Sequence, residues 1–249
     1  MTEHLIMIPG TLCDGSLFHQ QIKAFADFAQ CTIGDHSSSD ELQKVAANIL
    51  DSTEGDFSVM GLSYGGIVAF EMWRQAPERI KRLILLNTTF KLPSPETRGI
   101  QQHLVNMAHR GEFKEVTSEH LKDAMLHPDH AALPHLRKHV LEMALNIGRE
   151  NYYKQIKSQL GRPDSTPDLP FINCPTLIIT GRQDKVCTPE IHQEMAKLIP
   201  NSTLEIIENC GHLSTLEQPQ KVNDVIRSWW LSTPGALYAE GNQLAYEKE

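Results

Sequence analysis

The stretch FSVMGLSYGG at residues 57–66 decides the fold. It begins as an apolar run that predicts a strand, and it ends with three glycines around Ser63. When a strand turns sharply into a helix, side chains two positions either side of the central residue clash, so glycine fits at 61 and 65. The stretch therefore predicts a nucleophile elbow. Ser63 and the N–H of Tyr64 would lie at a helix start, which favours the negative charge formed when serine attacks a carbonyl.

Strands and helices alternate on both sides of this elbow. Short apolar runs predict strands at residues 4–10, 31–35, 57–66, 80–89, 174–181 and 202–208. Segments with helical spacing predict helices at residues 17–29, 37–52, 67–77, 189–200 and 219–231. The alternation predicts an α/β fold with a mostly parallel sheet flanked by helices.

The alternation stops between about residues 91 and 165. Pro134 precedes and Gly148 follows one predicted helix, and residues 149–161 have similar helical spacing. The segment therefore predicts a helical insertion. The expected organisation is a core at 1–90 and 166–232, the insertion at 91–165, and a loosely held C-terminal tail at 233–249.

The composition excludes several classes of protein. A net charge of −8 over 249 residues argues against a general nucleic-acid binder. No run of about 18 apolar residues occurs, so we expect no membrane span. The start MTEHLIMIPG lacks a basic leader, and the five cysteines are scattered without a CxxC pair. We therefore expect a cytoplasmic protein with reduced thiols, without a disulfide framework or a zinc site.

A serine needs a base, and the base needs an orienting acid, before it can act as a nucleophile. Asp184 follows the predicted strand at 174–181, and His212 follows the predicted strand at 202–208. Sites in open parallel sheets form outside the carboxyl ends of the strands. We therefore expect Ser63, Asp184 and His212 to meet on one rim of the sheet.

Five segments between about residue 4 and residue 231 resemble sequence motifs of a known protein family. They are PGTLCDGSLF, GLSYGG, QAPERIKRLILLNTT, PTLIITGRQDKVCTP and CGHLSTLEQP. Together they resemble the α/β-hydrolase superfamily, in which the triad follows the same Ser, Asp, His order. Pro9-Gly10 stands where that family commonly has His-Gly. The resemblance implies that the insertion is a cap over the site, and that Thr11 N–H is the second oxyanion donor, with Leu12 as the neighbouring alternative.

These residues predict a serine hydrolase that cleaves a small ester or related acyl compound through an acyl-enzyme. Ser63 would be the nucleophile, His212 the base and Asp184 the orienting acid, and the amides of Tyr64 and Thr11 would hold the oxyanion. The expected partner is a small-molecule substrate, and the chemistry needs no metal or organic cofactor. Two alternatives stay open: a C–C bond hydrolase or lyase that uses the same triad, and a non-enzymatic small-molecule receptor of the same fold.

Other polar residues near these motifs have structural interpretations. Cys13 and Cys210 lie beside the predicted site, where a reactive thiol is the alternative to a small apolar filler. Arg162 and Asp164 lie at the end of the insertion. We expect them to form a structural ion pair, with substrate binding as the alternative.

Overall fold

A single parallel sheet forms the centre of the computed structural model, which describes residues 2–117 and 125–233. In the described residues its strands are β1 (Glu3–Ile8), β2 (Ala29–Ile33), β3 (Phe57–Leu62), β4 (Ile80–Leu86), β5 (Thr176–Gly181) and β6 (Ser202–Ile207). Their order is β2-β1-β3-β4-β5-β6, and every neighbouring pair is parallel. The predicted α/β fold is therefore confirmed.

Helices connect the strands. The α-helices of the described residues are α1 (His19–Phe25), α2 (Leu42–Asp51), α3 (Tyr64–Gln75), α4 (Pro95–Met107), α5 (Phe113–Glu115), α6 (Pro128–Ala131), α7 (Pro134–Leu160), α8 (Pro189–Leu198), α9 (Ser214–Glu217) and α10 (Pro219–Ser232). Shorter turns of 3₁₀-helix occur at Gly15–Phe18, Pro77–Arg79 and Leu169–Phe171, and a π-helical turn occupies Ala108–Glu112.

The central strands are buried on both faces. Every residue of β3 and β5 is buried, which explains why their sequences are continuous apolar runs and do not alternate. The edge strand β6 alternates between half-buried and exposed residues over most of its length. Because all strands run in the same direction, their carboxyl ends lie at one rim of the sheet.

The two faces of the sheet are covered by different helices. On one face, α2 and α3 contribute buried side chains to the same apolar core. The residues from α2 are Leu42, Val45, Ala46, Ile49 and Leu50. The opposite core includes Phe25 of α1 and residues of α10. Burying a large aliphatic side chain contributes about 1.5–3 kcal/mol, so each such stripe fixes its helix on the sheet.

The described part of the segment between β4 and β5 contains helices and turns without a strand. Helix α7 bends at Gly148, whose backbone angles (φ 74°, ψ 168°) are not helical, as expected for a residue that ends one helix and precedes another. Leu12, in the turn after β1, packs in an apolar cluster with residues of α4 and α7. The division into core and cap stays a prediction. The predicted tail lies outside the described residues from position 234 onward, as do positions 118–124 of the insertion.

No helix within residues 2–117 and 125–233 is both long enough and apolar enough to cross a membrane.

Candidate active site

Ser63 lies between the last residue of β3 and the first residue of α3. Its φ of 56° and ψ of −114° are strained for a residue other than glycine, a conformation that costs about 1–3 kcal/mol. A Cβ on Gly65 would lie 1.9 Å from the carbonyl oxygen of Ile8, and a Cβ on Gly61 would lie 2.3 Å from that of Gly65. The glycines are therefore required by contact with backbone, as the sequence predicted for a sharp turn.

The structure brings Ser63, His212 and Asp184 together at the carboxyl rim of the sheet. His212 Nε2 lies 2.9 Å from Ser63 Oγ, and His212 Nδ1 lies 2.9 Å and 3.0 Å from the two carboxylate oxygens of Asp184. The side chains of His212 and Asp184 are fully buried, whereas Ser63 is partly exposed. This arrangement can move a proton from the serine to a ring whose other nitrogen faces a carboxylate.

The carboxylate of Asp184 is held by several donors. Its Oδ1 accepts the N–H groups of Val186 and Cys187 at 2.9 Å and 3.0 Å, and its Oδ2 accepts Asn87 Nδ2 at 2.9 Å. Burial raises the pKa of Asp184, but the charge of His212 and these hydrogen bonds outweigh burial and leave the pKa below its ordinary value. The carboxylate is therefore ionised at neutral pH.

Asn87 is part of the site but was missed by the sequence interpretation. It is the first residue after β4, is fully buried and has a φ of 47°. Its Nδ2 also donates to Gly211 O at 3.2 Å, and its Oδ1 accepts Ser214 Oγ at 2.6 Å. A polar residue directly after a buried strand is the signal that points to such a position.

Two of the three oxyanion candidates have free amides. Among the described residues, neither Thr11 N–H nor Tyr64 N–H has a hydrogen-bond acceptor. Leu12 is different, because its N–H donates to the buried Gln155 Oε1 at 3.0 Å. The Leu12 amide is therefore engaged within the protein, and the assignment of Thr11 as the second oxyanion donor stays a prediction.

Helix α7 fixes this turn, which the sequence did not predict. Gln155 is fully buried, accepts Leu12 N–H and donates Nε2–H to Ser37 Oγ at 2.9 Å. One turn later, Gln159 donates to Thr11 Oγ1 at 2.9 Å. Glutamines in an amphipathic helix are typical of a solvent face, so the sequence contains no signal for this role. The turn that contains the Thr11 amide is thus held by a helix from a distant part of the chain.

The cysteines near the site are not activated thiols. Cys13, Cys187 and Cys210 are buried and unpaired. Burial raises the pKa of Cys13 to about 12, and it also raises the pKa values of Cys187 and Cys210. They are therefore neutral at physiological pH, and Cys13 and Cys210 fit the expected role of small apolar fillers.

A cavity of about 250 Å³ lies beside Ser63. The loop after β4, α4, the end of α7, the loop after β5 and α8 contribute to its lining, which includes Lys91, Gln101, Gln159, Arg162, Val186 and Ile191. It is smaller than the pockets of about 300–1,000 Å³ that hold drug-sized ligands, so it suits a small substrate.

The expected ion pair between Arg162 and Asp164 is wrong. The guanidinium of Arg162 donates to the carbonyl oxygens of Gln159 at 2.7 Å and Lys91 at 2.6 Å. Asp164 is exposed and accepts both the N–H and the hydroxyl of Thr166. The short side chain of Asp164 is used in this local turn, whereas Arg162 is turned inward to the cavity.

The sequence and the structure of this chain are similar to those of known proteins. A model of the group described as "Alpha/beta hydrolase family" matches residues 13–225. The 3-oxoadipate enol-lactonase 2 of Acinetobacter baylyi is 27% identical over 226 residues, which cover 86% of this chain and 83% of the relative. The 2-hydroxy-6-oxononadienedioate/2-hydroxy-6-oxononatrienedioate hydrolase of Burkholderia vietnamiensis is 27% identical over 84% of this chain and 79% of the relative. A thermophilic esterase from Thermogutta terrifontis, solved with malate bound, has a TM-score of 0.84 and 25% identity, covering 93% of this chain and 90% of the esterase.

Proposed function

This chain belongs to the alpha/beta hydrolase family, and we propose that it is a serine hydrolase that cleaves a small ester or related acyl substrate through an acyl-enzyme. The observation that carries the proposal is the hydrogen-bonded series from Ser63 Oγ through both ring nitrogens of His212 to Asp184, each contact 2.9–3.0 Å long. The names of two similar proteins, an enol-lactonase and an esterase, support an ester-type bond as the target.

The reaction begins when His212 Nε2 accepts the proton of Ser63 and Oγ attacks the carbonyl carbon. The carbonyl π electrons move to its oxygen, and the N–H groups of Thr11 and Tyr64 stabilise that oxyanion at the start of α3. The oxyanion then collapses, the bond to the leaving oxygen breaks, and His212 gives its proton to the departing alcohol. Asp184 keeps Nδ1 protonated and stabilises the imidazolium.

Hydrolysis of the acyl-enzyme repeats these steps with water. His212 removes a proton from water, the hydroxide attacks the acyl carbon, and the bond to Ser63 Oγ breaks. Ser63 recovers its proton from His212, and a carboxylic acid leaves. The half-exposed position of Ser63 gives water a route to the intermediate.

We propose that the helical insertion at 91–165 acts as the cap of this site. Support comes from α7: its Ser158 Oγ lies 2.5 Å from the hydroxyl of Tyr64, the residue that follows Ser63 in the chain. Gln159 of the same helix borders the cavity with Ser63. The small cavity volume favours a short acyl compound over a long-chain lipid.

A cytoplasmic location is proposed with this function. All five cysteines are free thiols, and four of them are buried. Unpaired cysteines persist in a reducing compartment, where disulfides are rare.

The decisive variant is Ser63→Ala, assayed on p-nitrophenyl acetate and p-nitrophenyl butyrate. Loss of the nucleophile should lower kcat by roughly 10⁶-fold, while thermal unfolding stays within a few degrees of wild type. Ser228→Ala is a matched control, since Ser228 is an exposed serine on α10.

Active-site labelling separates the remaining functions. A fluorophosphonate probe should label the wild-type protein and the Ser228→Ala control but not Ser63→Ala. Turnover of a β-diketone without turnover of any ester or thioester would replace esterolysis with C–C cleavage. A folded wild-type protein that is neither labelled nor active on any of these substrates would refute the proposal.

A further inference from the structure

Arg162 is a buried cation on the cavity that contains Ser63. It is 7% exposed, so almost all of its side chain has left water. Its guanidinium has five N–H donors, and two of its nitrogens donate to the carbonyl oxygens of Gln159 and Lys91. Its Nε–H is buried without any acceptor among the described residues. Donor capacity is therefore left for a ligand.

Arg162 forms no ion pair within the described part of the chain, because the two acceptors of its guanidinium are carbonyl oxygens. The ammonium of Lys91, a second cation that lines the cavity, is paired with Glu194 at 2.6 Å. Burial is the main cause that lowers the pKa of Arg162; Cys187 acts to raise it, Arg98 to lower it, and Asp164 to raise it. Buried charges are stable when an opposite charge accompanies them, so the cavity favours an anion.

The cavity also sets where that anion lies relative to the chemistry. Ser63 and Arg162 both line the same volume of about 250 Å³, so one small molecule can contact both. Arginine presents a planar set of donors that matches the geometry of a carboxylate. Apolar side chains of Ile67 and Ile191 line the same cavity and suit the carbon chain of such a molecule.

We propose that the substrate carries a free carboxylate, which Arg162 binds in this cavity while the ester carbonyl reaches Ser63. The inference rests on the proposed function and deepens it, because it assigns a substrate class: small esters of dicarboxylic acids in which one acid group remains ionised. Arg162 is then the residue that determines specificity.

The test compares monomethyl and dimethyl esters of succinate, glutarate and adipate, with release of methanol as the measure. The wild-type enzyme should have a higher kcat/KM on the best monomethyl ester than on its uncharged dimethyl partner. Arg162→Met should lower kcat/KM on monomethyl esters by about 10- to 150-fold, the range for hydrogen bonds to a charged group. The change should fall mainly on KM, since the carboxylate is bound equally in the ground state and the transition state.

Uncharged substrates and a second arginine supply the controls. Arg162→Met should lower kcat/KM more on a monomethyl ester than on its dimethyl partner, because general damage to the site affects both esters and loss of the cation affects only the ionised one. Arg98→Met removes an exposed positive charge near Arg162 and should leave the preference for monomethyl esters unchanged. Arg162→Lys should recover part of the preference, because it restores the charge without the planar donor set.

Inhibition of the wild-type enzyme covers the case in which Arg162→Met does not fold. Glutarate should compete with p-nitrophenyl acetate, and its uncharged diamide should not. Equal kcat/KM on monomethyl and dimethyl esters of every length, or no inhibition by glutarate, would overturn the carboxylate site while leaving the serine hydrolase intact. Failure of the proposed function itself is distinct, since Ser63 would then resist the fluorophosphonate probe.

Discussion

The replacement Asp184→Asn tests the orienting acid without changing the size of the side chain. In the native protein both oxygens of Asp184 accept hydrogen bonds, Oδ1 from two backbone amides and Oδ2 from Asn87. Asparagine has one acceptor oxygen and one NH₂ donor. Its oxygen satisfies the two amides best, so its NH₂ would face Asn87 and Nδ1 of His212. Asn87 is not free to turn around, because its amide already binds Gly211 and Ser214.

This rearrangement has a calculable effect on catalysis. An NH₂ group that donates to Nδ1 of His212 moves the ring proton to Nε2, which lies 2.9 Å from Ser63 Oγ. Nε2 then carries a proton and cannot accept the one on Ser63. In serine protease triads the wrong tautomer lowers kcat about 10⁴-fold, which equals a barrier increase of about 5 kcal/mol. The two facing NH₂ groups should also lower the free energy of unfolding by about 1–3 kcal/mol.

The assay is steady-state hydrolysis of p-nitrophenyl acetate, with urea unfolding measured on the same preparations. Asp51→Asn is the matched control, because Asp51 is an exposed acid at the end of α2 and should leave both quantities unchanged. If Asp184→Asn keeps kcat within tenfold of wild type, His212 does not depend on this carboxylate for its tautomer, and the reasoning is refuted.

Two further predictions concern the scaffold. Gly65→Ala should abolish soluble folded protein, because the added Cβ would lie 1.9 Å from a backbone oxygen of β1. Gly99→Ala places a Cβ in open space on α4 and should raise the free energy of unfolding by about 0.5–1 kcal/mol, measured in urea melts. Equal stability of the two variants would contradict this prediction. Buried His192 accepts Thr88 N–H at Nε2, and burial lowers its pKa from 6.5, so its contribution to stability should be fully present above pH 6.5 and be lost as the pH falls through the folded pKa. Between about pH 7.5 and about pH 5, the melting temperature should fall less steeply in His192→Gln than in the wild type. A variant of the exposed His19 should show the wild-type slope. A wild-type slope in His192→Gln would exclude the effect.

The sequence by itself determined the features that depend on neighbouring residues. The elbow at Ser63 was predictable because glycine is needed wherever a Cβ would meet backbone a few residues away, as at Gly61 and Gly65. Strands were predictable because the residues of β3 and β5 are buried on both faces and therefore uniformly apolar or small. The rim that collects Asp184 and His212 also followed from local information, since parallel strands end on one side.

Only the tertiary structure decided the contacts between segments that are distant in the chain. Arg162 was expected to pair with Asp164, two residues away, but it contacts Lys91 O, 71 residues away, and lines a cavity with Ser63. Gln155 holds the turn at Leu12 across 143 residues. Such contacts depend on how α7 packs over the sheet, because a polar side chain in an amphipathic helix faces water or a buried partner according to what the fold places opposite it. The environment of such a side chain therefore depends on the tertiary structure and cannot be predicted from the spacing of residues along the chain.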